Sequence, residues 1–277
     1  MTTSIAAARG AISLAVTGSK GGVGKSNLAL NLAVALQRFG RRVLLIDGDL
    51  GLANLDVLLG LVPKHTIEHL LHGGVRLSDV LLEGPGGVRV LPAASGVPEL
   101  TRLDGPTRGR LASILAEGNA LADVVIVDTG AGLGSATLTL QRAASRVIVV
   151  TTPEPTALVD AYATLKVLWA ADPHKPADLV VNAAESESEA AQVQRQIGRA
   201  AESFLGRAPG CLGAVLRDSK IGDAVRQQRA LLEAYPTSVA ARCYERIAAR
   251  ILTGDAKVPG DESFWDRLLE SSSELVQ

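Results

Sequence analysis

The stretch Gly18-Ser19-Lys20-Gly21-Gly22-Val23-Gly24-Lys25-Ser26 lies between an apolar run, residues 11–16, and a segment, residues 27–36, in which Leu28, Leu32 and Leu36 recur every four positions. The first reads as a buried strand and the second as a helix. A glycine-rich turn between them aims successive backbone N–H groups and a helix N-terminus at one point, which is how a chain holds phosphate. That recipe confines the fold to α/β architectures built on a parallel sheet. The general loop pattern is G-x-x-x-x-G-K-[ST]. Gly24-Lys25-Ser26 satisfies its end, whereas Ser19 stands where the first glycine belongs. Gly18, Gly21 and Gly22 still allow close backbone approach.

The rest of the chain alternates in the same manner. Strands are predicted at 12–16, 43–46, 88–91, 124–127, 147–150, 178–181 and 211–216. Helices are predicted at 27–36, 66–71, 75–82, 107–121, 136–143, 156–169, 185–202, 223–232 and 239–252. The expectation is a single-domain α/β phosphate-loop NTPase over residues 11–252, with about seven mostly parallel strands and helices on both faces. Residues 1–10 read as a flexible lead-in, 253–261 as a linker and 262–277 as a terminal amphipathic helix.

A chain of 277 residues that is 47% hydrophobic can bury one large core. The formal net charge of −1 excludes nucleic-acid binding driven by bulk charge. Arg226, Arg229, Arg242, Arg246 and Arg250 alternate with apolar residues and read as solvated helix faces, so DNA is not among the expected partners. No apolar run approaches the roughly 18 residues that span a bilayer. The apolar start runs directly into the glycine loop and cannot be a removable leader. Cys211 and Cys243 read as small buried residues in a reducing compartment, and the protein is expected in the cytoplasm.

Three carboxylates complete the chemistry. Asp47 and Asp49 follow the apolar run 43–46 at alternate positions, and Asp128 ends the run 124–127. The C-terminal ends of parallel strands face the ligand crevice of such sheets. There, Lys25 reaches the β- and γ-phosphates of a nucleotide, the Ser26 hydroxyl coordinates Mg²⁺, and Asp47 and Asp49 lie within reach of Mg²⁺ and of attacking water. Gly21, Gly22, Val23, Gly24, Lys25, Ser26 and Asn27 make up the phosphate cradle. His65, His69 and His72 have partial helix-face spacing without a nearby cysteine, and read as a solvated surface.

Lys20, a second lysine early in the loop, makes the stretch resemble the deviant phosphate loop of the MinD/ParA group of ATPases. The resemblance implies ATP and ADP as nucleotides, Mg²⁺ as cofactor, and an ATP-dependent homodimer in which Lys20 reaches the partner's nucleotide. It makes Asp49 the residue that positions the hydrolytic water and Asp47 a contributor to the metal–water network. Asp128 fits the carboxylate that holds the metal through water, and Thr129-Gly130-Ala131-Gly132 a loop sensing the γ-phosphate. Asn182 matches an asparagine that contacts adenine, and Arg217-Asp218 the other base-side loop. Asp49-Leu50-Gly51-Leu52-Ala53-Asn54-Leu55-Asp56, Thr151-Thr152-Pro153-Glu154-Pro155-Thr156 and Val180-Val181-Asn182 are similar to the flagellar-number regulators FlhG and FleN over roughly residues 11–250. Gly48 stands where that family usually carries a larger residue.

That resemblance implies control of flagellar number and placement through a flagellar GTPase of the signal-recognition type, a flagellar transcription activator, or both. It also implies reversible peripheral binding to the inner face of the cell membrane through residues 262–277, where Phe264, Trp265, Leu268 and Leu269 gather on one helical face. The alternatives are a MinD-like regulator of the division site and a ParA-like DNA-partitioning or transcription-modulating ATPase.

Overall fold

The computed structural model describes residues 11–49, 55–65, 69–70, 74–92, 114, 121–253 and 263–274. Strand β1 (Ile12–Thr17) leads through the glycine loop into helix α1 (Lys25–Arg38), β2 (Val43–Gly48) and the short helices α2 (Leu55–Leu59) and α3 (Leu77–Val80). Then come β3 (Leu82–Glu83), β4 (Arg89–Leu91), β5 (Val124–Thr129), α4 (Ser135–Ala143), β6 (Arg146–Thr151) and α5 (Pro155–Ala171). The chain closes with β7 (Ala177–Ala184), α6 (Glu187–Leu205), β8 (Gly210–Leu216), α7 (Ser219–Arg226), α8 (Leu231–Ala234), α9 (Val239–Thr253) and α10 (Phe264–Glu274).

Among the described residues, eight strands form one sheet in the order β3-β4-β2-β5-β1-β6-β7-β8. Only the pairing of β3 with β4 is antiparallel there. The central strands carry apolar residues at nearly every position because both faces are covered. Leu14, Val16, Leu45, Ile126 and Ile148 point to the face closed by α1 and α9. On the opposite face, Ala15, Val147 and Val149 pack with α5 and α6, while Leu44, Ile46, Val125 and Val127 pack with Phe264 and Trp265 of α10. Each such aliphatic side chain contributes roughly 1.5–3 kcal/mol on burial.

Several expectations change. The segment 75–82 holds a four-residue helix and a two-residue edge strand in place of one helix, and this strand is the eighth. The segment 223–232 divides into α7 and α8 around Gln228, whose φ of 52° no continuing helix accepts. Cys243 is buried as expected, but Cys211, on the terminal strand β8, is exposed. The lead-in 1–10, His72 and the predicted helices 66–71 and 107–121 lie wholly or largely outside the described residues. No cluster of three or more potential metal ligands occurs among the described residues, and the His65 and His69 rings pack edge to face, 5.4 Å apart.

The terminal helix lies against the domain in this structure. Phe264 and Trp265 are buried against the sheet and α4, and Arg267 donates from Nε to the carbonyl oxygen of Ala143, 2.7 Å away. Phe264 and Trp265, expected at a lipid surface, are covered by protein here. No described helix is long and apolar enough to cross a membrane.

Candidate nucleotide site

β1 pairs with β5 on one side and β6 on the other; the chain runs from β1 to β2 on one side of the sheet and from β6 to β7 on the other, so a topological switch point lies between β1 and β6. In open α/β sheets the crevice beyond such strand ends is where ligands bind. The glycine loop occupies it. Gly24 takes a left-handed φ of 92° as the residue before α1, and a Cβ there would overlap the side-chain nitrogen of Asn182. Glycine is therefore required at this position on two grounds. The first turn of α1 contains no acidic side chain and its N-cap supplies no side-chain hydrogen bond, which leaves amide donors and the positive helix end for an anion.

Sheet register brings the carboxylates to the loop. Asp47 on β2 stands directly beside Asp128 on β5, and Asp128 beside Val16 at the end of β1. The Ser26 hydroxyl lies near Asp128 and favours its charged form. Asp128 Oδ1 is buried without a partner, and burial, reinforced by the Asp47 and Asp49 charges, pushes its pKa up to about 7 against the opposing Ser26 and Lys25. A buried, undersatisfied carboxylate beside a serine hydroxyl fits a cation or cation-bound water, because either would supply the missing partner. Burial lowers the pKa of Lys25, while the nearby Asp128 and Asp49 charges oppose that shift.

Asp47 has a second task. Its Oδ1 accepts from the Asp49 amide at 3.1 Å and its Oδ2 from the Leu55 amide at 3.1 Å, so it ties both ends of the 49–55 segment to the sheet. Asp49 lies against the loop after β5, since a Cβ on Gly130 would come within 3.1 Å of its Oδ1. The following amide, Gly132 N–H, donates to the Ser19 carbonyl at 3.0 Å. The Ser19 hydroxyl donates to the carbonyl of Asp160 on α5 at 3.0 Å. The residue that breaks the loop pattern thus bonds the loop to a neighbouring helix.

Other expected residues lie around this centre with different partners. Asn182 Nδ2 donates to the Val23 carbonyl at 2.8 Å, and its Oδ1 is buried without a partner. Asn27 sits in the first turn of α1, where its carbonyl accepts from Asn31 Nδ2. Arg217 is exposed and paired with Glu185 at 3.0 Å. Asp218 caps α7 through the Lys220 amide and also accepts from the Ala240 amide of α9. Burial would raise its pKa, but those amide donors hold it below the usual carboxylate range. Its geometry is that of a helix-joining cap.

Lys20 points away from the cradle, with its ammonium on the Glu154 carboxylate and the Thr156 hydroxyl at the start of α5. The sequence contained both residues within a recognisable motif, but nothing in their spacing marks them as partners of a lysine more than a hundred positions away. A separate apolar groove of about 460 Å³, lined by Leu158, Val159, Tyr162, Ile197 and Phe204 among others, contains none of the nucleotide-site residues.

The chain is 41% identical to the antiactivator FleN of Pseudomonas aeruginosa over 86% of its own length and 85% of FleN. It is 33% identical to the flagellum site-determining protein YlxH of Helicobacter pylori, with 93% and 89% of the two chains covered. Its fold superposes on the septum site-determining protein MinD of Pyrococcus horikoshii, solved with Mg-ADP, with a TM-score of 0.69 at 23% identity, covering 89% of this chain and 98% of that one. Residues 14–232 match the CobQ/CobB/MinD/ParA nucleotide binding domain. With that match spanning most of the sheet and every strand end that forms the site, the chain belongs to the CobQ/CobB/MinD/ParA nucleotide-binding family.

Proposed function

We propose that this protein is an Mg²⁺-dependent ATPase that dimerises on ATP and limits the number and placement of flagella. The observation that carries the reading is the convergence of Lys25, Ser26, Asp47, Asp49 and Asp128 at three adjacent strand ends around a free helix N-terminus. The flagellar assignment is supported by the relatives named an antiactivator and a flagellum site-determining protein.

In this reading the amides of residues 21–27 and the Lys25 ammonium bind the β- and γ-phosphates, and Asn182 lies on the adenine side with the 217–218 loop. Bound Mg²⁺ would neutralise phosphate charge during transfer, and Ser26 and Asp128 are the residues to hold it, with Asp47 beside them. Asp49 orients the attacking water and accepts its proton. Lys20 reaches the nucleotide of a second copy, so hydrolysis and dimer dissociation are linked. The expected partners are a signal-recognition-type flagellar GTPase and a flagellar transcription activator, bound by the ATP dimer.

Replacing the chromosomal copy with Asp49→Ala or Lys20→Ala and counting flagella by electron microscopy tests the assignment. Cells carrying either variant should depart from the wild-type number or position. Unchanged flagellation in both would overturn the flagellar role, whatever the ATPase activity.

A further inference from the structure

We propose that Gln228 is a positioning residue for hydrolysis, which holds α2 in place and thereby the support of the Asp49 carboxylate. The inference rests on the reading above, in which Asp49 orients the attacking water.

Gln228 lies between α7 and α8 and is one of two non-glycine residues with a left-handed φ among the described residues, at 52°. Such backbone strains a residue that has a Cβ and suits glycine without strain. What glutamine adds at this position is its amide. Its Nε2 donates to the carbonyl oxygen of Val57 in α2 at 2.9 Å. Its Oε1 faces the exit of that helix, where a Cβ on Gly60 would come within 3.0 Å of it. Both halves of the amide thus lie against the end of α2.

α2 has only five residues, too few to be a stable helix by itself. Its place is set by contacts at its two ends. At the start, the Leu55 side chain is fully buried and the Leu55 amide is bonded to Asp47 Oδ2, the carboxylate whose Oδ1 accepts from the Asp49 amide. At the other end, Leu58 and Leu59 are only partly buried and Val57 is 65% exposed, so apolar packing holds that end less firmly. The Gln228 bond fixes its backbone directly. A swing of α2 about Leu55 would pull on the Leu55 amide, on Asp47 and so on Asp49. The bond also joins two elements that leave the nucleotide site at different points, since α7 follows Arg217 and Asp218 while α2 follows Asp49.

The test measures phosphate release by the full chain at saturating ATP, at protein concentrations where turnover per subunit no longer rises, beside titration of a fluorescent ATP derivative. Gln228→Gly removes the amide and suits the backbone, and Gln228→Glu keeps the length while its carboxylate has no proton to donate. Both should melt within a few degrees of wild type and bind ATP within about twofold of it, yet turn over about three- to tenfold more slowly, the scale of one net hydrogen bond. In an Asp49→Ala background, Gln228→Gly should slow turnover no further, because it acts only through that carboxylate. Wild-type turnover in a folded Gln228 variant, with Asp49→Ala inactive, overturns the positioning role and leaves the reading of Asp49 standing. A loss of ATP affinity as large as the loss of turnover, or misfolding of both variants, overturns it as well, because Gln228 would then serve the fold alone. Normal hydrolysis by Asp49→Ala overturns the reading of Asp49 itself.

Discussion

The Asn182 side chain donates a 2.8 Å hydrogen bond to the carbonyl of Val23, fastening the end of β7 to the phosphate loop one residue before Gly24. The same amide fills the space a Gly24 side chain would need, and its own oxygen is buried without a partner. An unpaired acceptor costs stability unless a ligand completes it, and the exocyclic amine of adenine is a donor of the required kind. Gly24→Ala should therefore abolish ATP binding by displacing Asn182 and straining the loop. Asn182→Ala should weaken binding about tenfold, equivalent to ~1.4 kcal/mol. Titration of a fluorescent ATP derivative measures both, and wild-type affinity in Asn182→Ala would remove the adenine-side role.

Asp49 borders Gly130 while its backbone amide is held by Asp47, so its carboxylate rests on a supported chain at the edge of the phosphate site. Asp49→Ala should bind ATP with near wild-type affinity yet hydrolyse it at least ~100-fold more slowly, the scale of a lost general base. Phosphate release paired with equilibrium binding separates the two effects. Wild-type turnover would remove Asp49 from the chemistry.

The raised pKa of Asp128 predicts a pH dependence with a definite sign. Between about pH 4 and pH 7 the folded, nucleotide-free protein holds a proton on Asp128 that the unfolded chain has released. Stability is therefore lost as pH rises through that window. Asp128→Asn removes this ionisation, so the nucleotide-free variant should match wild type near pH 4.5 and exceed it by roughly 2–4 kcal/mol near pH 8. Denaturant melts at the two pH values check this. An equal difference at both would show that burial of the charge is not the cause.

Much of this site is legible in the sequence because it is local. The loop, the two apolar runs ending in aspartate, and the helix after Lys25 are short-range patterns that parallel pairing then aligns. What escaped was long-range or conditional on packing. Nothing in the sequence around Asp218 foretells the Ala240 amide that it accepts from α9. Gly48 stands where a larger residue is usual, yet a Cβ there would lie 2.8 Å from Leu140 Cδ1 and 2.9 Å from the Asp128 carbonyl. Its missing side chain is what lets α4 close on the strand ends, so Gly48→Ala should lower the melting temperature by several degrees, roughly 1–3 kcal/mol of overpacking. The terminal helix shows the same limit, because a helical aromatic face does not reveal whether lipid or protein covers it.

Trp265 distinguishes those two coverings. It packs edge to face against Phe264 with centroids 5.0 Å apart, is 3% exposed, and has a buried indole N–H with no acceptor. If this face belongs to the core, Trp265→Ala should cost about 3–5 kcal/mol by leaving a cavity. Trp265→Phe should cost far less, because it keeps an aromatic ring in place while deleting an unsatisfied donor. A lipid-facing residue would show neither effect in membrane-free solution, since its removal exposes nothing that was covered. Chemical denaturation of the two variants without lipid therefore decides the matter. A large loss for alanine and a small one for phenylalanine place α10 in the core, and wild-type stability in both would return this face to the membrane.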